Sequence, residues 1–309
     1  MGDVLAGIHA TWEFESDAVV IRFERGIRAP KLFQALRERR VPHEALASVT
    51  LTPGARGTVV LHAVPRAGAD PLMEAAAGQL KDGSDPYRLV LPADKETLAE
   101  YYRDELRAVL PPEDDGLPAD GFLVAAPEGP QSFKAYDGKA SFDGVSEVSF
   151  RWSWSGASSE KWKAGDQTFR VRELSGVEWR SPEIFDGYLR LVTRDGAADG
   201  ALGTPGGGTV GGAVRGTTDG ADGRPVQPDH DPASVVFGLG YGPVHQSLPF
   251  AASVLAAIRG ASARVPVTVP QRDPAGIAER IRHLGDLHRA GLVTDEEFSA
   301  KKAELLAEL

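Results

Sequence analysis

Apolar and polar residues alternate with a period of two in several short stretches: Trp12 and Phe14, Val20 ahead of Arg22, and later Val148, Phe150, Trp152 and Trp154. That period predicts half-buried β-strands, with one face on a core and the other in water. The pattern changes after residue 94. Leu98, Tyr102, Leu106 and Val109 follow at spacings of 4, 4 and 3, with Asp94 placed as an N-cap, which predicts an amphipathic helix over about 95–110. A second helical stretch falls near 247–258. The tryptophans are read as core or strand-face packing.

The strand pattern occurs twice. GIHATWEFESDAVVIRF, which holds Phe14, matches GKASFDGVSEVSFRW, which holds Phe142, so the two lie 128 residues apart. The same separation relates Leu46 and Val49 to Leu174 and Val177. GTVVLHAV from Gly57 resembles GYLRLVT from Gly187, and each half later carries Asp-Pro ahead of an apolar strand, at Asp85-Pro86 and Asp231-Pro232. Ordered matches of this kind mark an internal duplication. Several antiparallel strands closed by one helix make an α+β unit of about 100 residues. A strongly bent antiparallel sheet with a C-terminal helix, the PH-like architecture, suits this order.

The breaks between patterns divide the chain. Copy one covers 1–110 and an acidic, Pro- and Gly-rich linker covers 111–121. Copy two covers 122–258 and is interrupted by a Gly-rich insertion at 196–230, read as a flexible loop. The GTPGGG core of that insertion lacks the Gly-Lys-Ser/Thr and the strand-to-helix context that a phosphate-binding loop needs. A second linker at 259–272 leads to residues 273–309, a short helical hairpin. Asp273 and Pro274 open its first helix, Gly291 closes it, and Thr294 with Glu297 forms a capping box for the second. A hairpin this small buries little apolar area alone, so its face of Ile281, Leu284, Leu287, Leu292, Phe298 and Leu305 is expected to drive self-association or to bind a partner.

Two resemblances follow from these residues. Leu284, Leu287, Gly291, Leu292, Thr294, Glu296, Glu297, Phe298, Lys301 and Leu305 make the C-terminal segment similar to the short C-terminal domain family called SHOCT, with Val293 in place of the usual Ile. The doubled body resembles the DUF4429 family of bacterial proteins, an actinomycete type in which tandem copies precede such a hairpin. The resemblance implies a PH-like fold for each copy and a role in assembly for the hairpin. It carries no reaction, because that family's function is uncharacterised.

Composition narrows the class of function. With 34 Lys and Arg against 44 Asp and Glu, the net charge is −10, which disfavours general affinity for nucleic acid, and no nucleic-acid partner is expected. The chain has no cysteine, which removes disulfides and thiolate chemistry and fits a cytoplasmic setting, with peripheral contact to the inner membrane face as an option. The N-terminus shows no signal-peptide pattern, and no run of about 18 uncharged apolar residues spans a bilayer.

Candidate chemistry is sparse. His283 and His288 are five apart and so do not share a helix face as zinc ligands would, and Asp229-His230-Asp231 reads as a solvated turn rather than a metal site. No nucleophile elbow or convincing carboxylate pair appears, so no catalytic residue and no cofactor or metal is assigned. One stretch runs against the overall acidity. Arg22, Arg25, Arg28, Lys31, Arg37, Arg39 and Arg40 face only Glu24 and Glu38 between residues 22 and 40. Arg22, Arg25, Arg28 and Lys31 are the candidates for an anionic ligand, because guanidinium forks suit phosphate and carboxylate. Copy two has Arg151, Lys161 and Lys163 there, with Trp152, Trp154 and Trp162. The expectation is a non-enzymatic binding or scaffold protein with a protein partner and homo-oligomerisation through the hairpin. The alternative is a peripheral anionic-lipid binder using residues 22–40, and a third reading is an enzyme of uncharacterised activity.

Overall fold

The computed structural model describes residues 3–110, 118–184, 186–194, 227–263 and the single residue 289. The chain divides into two compact units, Met1–Ser262 and Ala263–Leu309. Both sheet-bearing copies lie in the first. The hairpin, apart from residue 289, and most of the Gly-rich insertion lie outside the described residues.

In copy one, β1 (Asp3–Ala6), β2 (Ala10–Phe14), β3 (Ala18–Phe23) and β4 (Glu38–Pro42) form an antiparallel sheet in chain order, with α1 (Lys31–Leu36) between β3 and β4. A 3₁₀ turn then leads into a second antiparallel sheet of β5 (Leu46–Pro53), β6 (Thr58–Pro65) and β7 (Arg88–Pro92), and α3 (Glu96–Val109) follows. The connection from β6 to β7 holds α2 (Pro71–Ala76). Copy two repeats this plan: β8 (Gln131–Lys134), β9 (Gly138–Phe142), β10 (Glu147–Trp152), α4 (Ser159–Ala164) and β11 (Gln167–Arg170), then β12 (Leu174–Arg180), β13 (Tyr188–Thr193), β14 (Ser234–Val236) and α5 (Val244–Ala263). The strands β2 and β9, the helices α1 and α4, and the strands β5 and β12 each begin 128 residues apart. Even the irregularity is repeated, since the β5–β6 register shifts between Leu46 and Ser48 and the β12–β13 register between Leu174 and Gly176. The described residues form an α+β structure with four small antiparallel sheets.

Alternation holds for Trp12 and for Val148 and Phe150, which are buried, but β3 is buried on both faces apart from Arg22. Val20 lies across from Glu13 on one neighbour and Arg40 on the other, so the stems of ion-paired side chains cover it. Trp154 falls beyond the end of β10 and is 86% exposed, which corrects its reading as a strand-face residue. The helix after β7 also differs in detail. Asp94 sits in a 3₁₀ turn, Lys95 occupies the N-cap without a side-chain bond, and the buried face is Ala99, Tyr102 and Leu106, with Leu98 and Val109 exposed.

The two copies exchange core residues. Leu32 of α1 and Leu72, Ala75 and Ala76 of α2 belong to the apolar cluster of copy two, with Phe133, Phe150, Trp179, Phe237 and Phe250. In return Val124, beyond the acidic linker, lies in the cluster of copy one. Asp70 makes this reach feasible. Its carboxylate accepts from Leu72 N at 2.9 Å to cap α2, from Arg39 Nη2 at 2.7 Å and from Tyr87 Oη at 2.8 Å. Burial, and then the Asp70 charge, push the Tyr87 hydroxyl pKa well up, so it stays a donor. Gln79 reaches copy two as a strand-like partner, donating to Trp179 O and accepting from Ser181 N, each at 2.9 Å. Arg259 of α5 crosses the other way to Glu74 at 2.8 and 3.0 Å, with its guanidinium 4.0 Å from the Phe122 ring centre. Burying one Leu side chain contributes about 1.5–3 kcal/mol, so the exchanged residues join the copies firmly.

Candidate interaction surface

Residues 24–37 connect β3 to β4. Ala29 N donates to Gly26 O at 2.9 Å, and the Gln34 amide donates to Gly26 O and Ala29 O, closing a tight loop. Phe33 of α1 stacks on Phe23 at 4.6 Å between ring centres, and Arg37 ends the helix at a φ of 61°. The loop is thus fixed from inside while its outer positions face solvent. Ile27 is fully exposed at 104%, between exposed Arg25 and Arg28.

The seven cations of this stretch separate into two groups. Arg22 is taken up by Glu13 and Glu38, and Arg40 by Glu15 and Asp17. Arg39 is buried on Asp70. Arg25, Arg28, Lys31 and Arg37 have no carboxylate partner among the described residues. Of the four candidates for an anionic ligand, Arg25 and Arg28 flank the loop tip and Lys31 opens α1, whereas Arg22 is neutralised on the sheet.

The equivalent connection in copy two is built differently. Lys161 of α4 is fully buried and donates from Nζ to Asp137 Oδ2 at 2.5 Å, 5.1 Å from the Trp152 ring centre. Burial raises the Asp137 pKa despite that cation, and Asp137 Oδ1 also accepts from Val236 N at 3.0 Å. Trp152 is half-buried, with Nε1 donating to Gly165 O at 2.6 Å. Trp154 and Trp162 stand exposed, and Arg151 and Lys163 are exposed on the same connection. Sequence reading therefore missed that Lys161 is interior and that two tryptophans face solvent.

The histidines do not converge. His9 lies 3.9 Å from Glu24, His62 3.4 Å from Asp85 and His230 2.9 Å from Glu160. A backbone donor at Glu160 itself, then His230 and Ser159, hold the Glu160 carboxyl at a pKa of about 2. Asp231 accepts from Arg190 Nε at 2.8 Å, so the Asp229–Asp231 turn is anchored by ion pairs at two of its residues. Among the described residues no three His, Asp or Glu side chains are placed to hold a metal ion, and no helix is long and apolar enough to cross a membrane.

Where the copies meet, a cleft of about 390 Å³ opens between α1 and the turn at Ser84 on one side and Glu183 with the start of α5 on the other.

Comparison with known proteins accounts for the repeat. The curated proteins give no significant match. Residues 279–306 match the family described as Short C-terminal domain (SHOCT). Residues 12–107 and 140–255, one segment in each copy and together more than half of the chain, match the family described as Domain of unknown function (DUF4429), and the chain therefore belongs to the DUF4429 family.

Proposed function

We propose that this chain is a non-enzymatic, cytoplasmic binding module in which two PH-like units engage protein partners and the C-terminal hairpin multiplies them by self-association. The PH-like assignment is supported by the plan of each copy, which is a four-stranded sheet, a three-stranded sheet and one closing helix. One observation carries the reading. The same connection in each copy exposes an apolar residue near its start, Ile27 and Trp154, on a scaffold whose copies share core residues. Two tips on one body suit a partner that is gripped at two points, and assembly through Ile281, Leu284, Leu287, Leu292, Phe298 and Leu305 adds avidity.

Light scattering behind size exclusion tests the assembly half. The full chain is expected to be oligomeric and a chain ending at Arg272 monomeric. A monomeric full chain, or an oligomeric truncation, overturns the role given to the hairpin.

A second reading rests on the neighbours of Ile27. Arg25 and Arg28 have no carboxylate partner among the described residues, and basic residues beside an apolar tip suit an anionic lipid surface. Co-sedimentation with phosphatidylserine vesicles, absent with phosphatidylcholine and lost in Arg25→Ala/Arg28→Ala, selects this reading. No sedimentation with either vesicle removes it.

A further inference from the structure

The cleft between the copies combines features that the loop tips lack. It is concave, and its volume of about 390 Å³ falls in the range of small-molecule sites, roughly 300–1,000 Å³. Its walls come from both copies, which the exchanged core residues hold together. Lys31 lines it without a carboxylate partner among the described residues. Glu183, the carboxylate in its wall, already accepts from Lys81 Nζ at 2.9 Å. A positive charge therefore stands unanswered at the cleft.

Part of the lining is apolar and held in place. Tyr241, Pro243 and Val244 give the copy-two side an apolar stretch. The Tyr241 ring lies 6.3 Å from that of Tyr136, edge to face, and a Cβ on Gly238 would meet the Tyr136 side chain at 2.8 Å, so this turn is seated closely. His245 borders the same space. Burial, and then the charge of Lys31, lower its pKa, so the imidazole is kept neutral near the free cation.

We propose that the cleft between the two copies binds a small organic anion, with its carboxylate or phosphate head on Lys31 and its apolar body against Tyr241, Pro243 and Val244. The site is separate from the loop tips and is argued from residues of the two copies alone, so it stands or falls independently of the reading above.

The probe is phenyl phosphate, titrated into the full chain while the His245 ring signals are followed by NMR, with His245→Gln used to assign them. Saturable movement of His245 is expected. Lys31→Ala should weaken binding about tenfold or more, as loss of a hydrogen bond to a charged group does, and Lys31→Arg should retain it. Ser84→Trp narrows the cleft without changing its charge and should abolish binding. Arg25→Ala/Arg28→Ala should leave it unchanged. Two outcomes overturn the proposal outright: an unmoved His245, or equal affinity in the parent and Lys31→Ala. Inorganic phosphate binding as tightly as phenyl phosphate would refute the apolar half, and benzoate against phenyl phosphate shows which head group is preferred.

Discussion

The short helix after the third strand of each four-stranded sheet is fastened by opposite chemistry in the two copies. Copy one stacks Phe33 on Phe23. The residue 128 positions after Phe33 is Lys161, and the strand partner of Gly138, matching the pairing of Ala10 with Phe23, is Trp152. In copy two the helix is therefore fixed by an ammonium group on an indole face, tied to Asp137. Asp137 takes the place of His9, and the backbone bond is kept, since Glu24 N donates to His9 O at 3.0 Å and Ser153 N to Asp137 O at 2.8 Å. The same backbone accepts an aromatic pair or an ion pair. What differs is the response to a lost partner. An apolar pair fails gradually, while a buried ion pair leaves a charge behind when broken.

The largest effect should come from Lys161→Met. Leaving Asp137 buried without a cation costs about 3–5 kcal/mol, whereas Lys161→Met/Asp137→Asn should recover most of that, because a well-packed neutral pair is often as stable as a buried ion pair. Urea unfolding followed by Trp fluorescence reads both, and a double variant no better than the single would show that the unpaired Asp137 charge is not the source of the loss. The loss should also depend on pH. Asp137 has a folded pKa above its unfolded value, so its contribution is present at low pH and is lost as pH rises through the folded pKa. The deficit of Lys161→Met is thus full at neutral pH and shrinks on acidification.

Next in size is Gln79→Ala, which leaves Trp179 O and Ser181 N without their side-chain partner at the junction of the copies. An unsatisfied buried group costs about 1–3 kcal/mol, and the denaturation midpoint should fall accordingly. The smallest change is expected from Phe33→Leu, which keeps the apolar contact but removes the stacking, at about 0.5–1.5 kcal/mol. That loss should be the same at pH 5 and pH 7. A pH-dependent Phe33→Leu would erase the contrast between the copies.

Much of this was legible in the sequence because a duplicated fold repeats its apolar spacing, and Leu46 with Leu174 mark the same strand start. The closing helices were legible for the same reason. The reach of α2 was not. Asp70-Pro71 carries the same cap-then-proline pair as Asp273-Pro274, yet no apolar face of several turns follows it, so spacing alone does not mark a helix there. Lys161 was misplaced because lysine is rarely buried, and its partner Asp137 lies 24 residues away across a strand pair. Arg22, Arg39 and Arg40 looked like one basic cluster because local counting cannot see Glu13, Asp17 and Asp70, which the strands and α2 bring alongside them. The cleft, made by residues of both copies that are far apart along the chain, has no local signature at all.

The traded core residues have a bearing on how such genes can be cut and rejoined. A fragment ending before Gln131 would leave Leu72, Ala75 and Ala76 bare to water, and one starting there would lack part of its own interior. Neither half is a portable cassette. With side chains traded across the junction, inserting, swapping or losing a single copy is costly unless the junction is rebuilt at the same time.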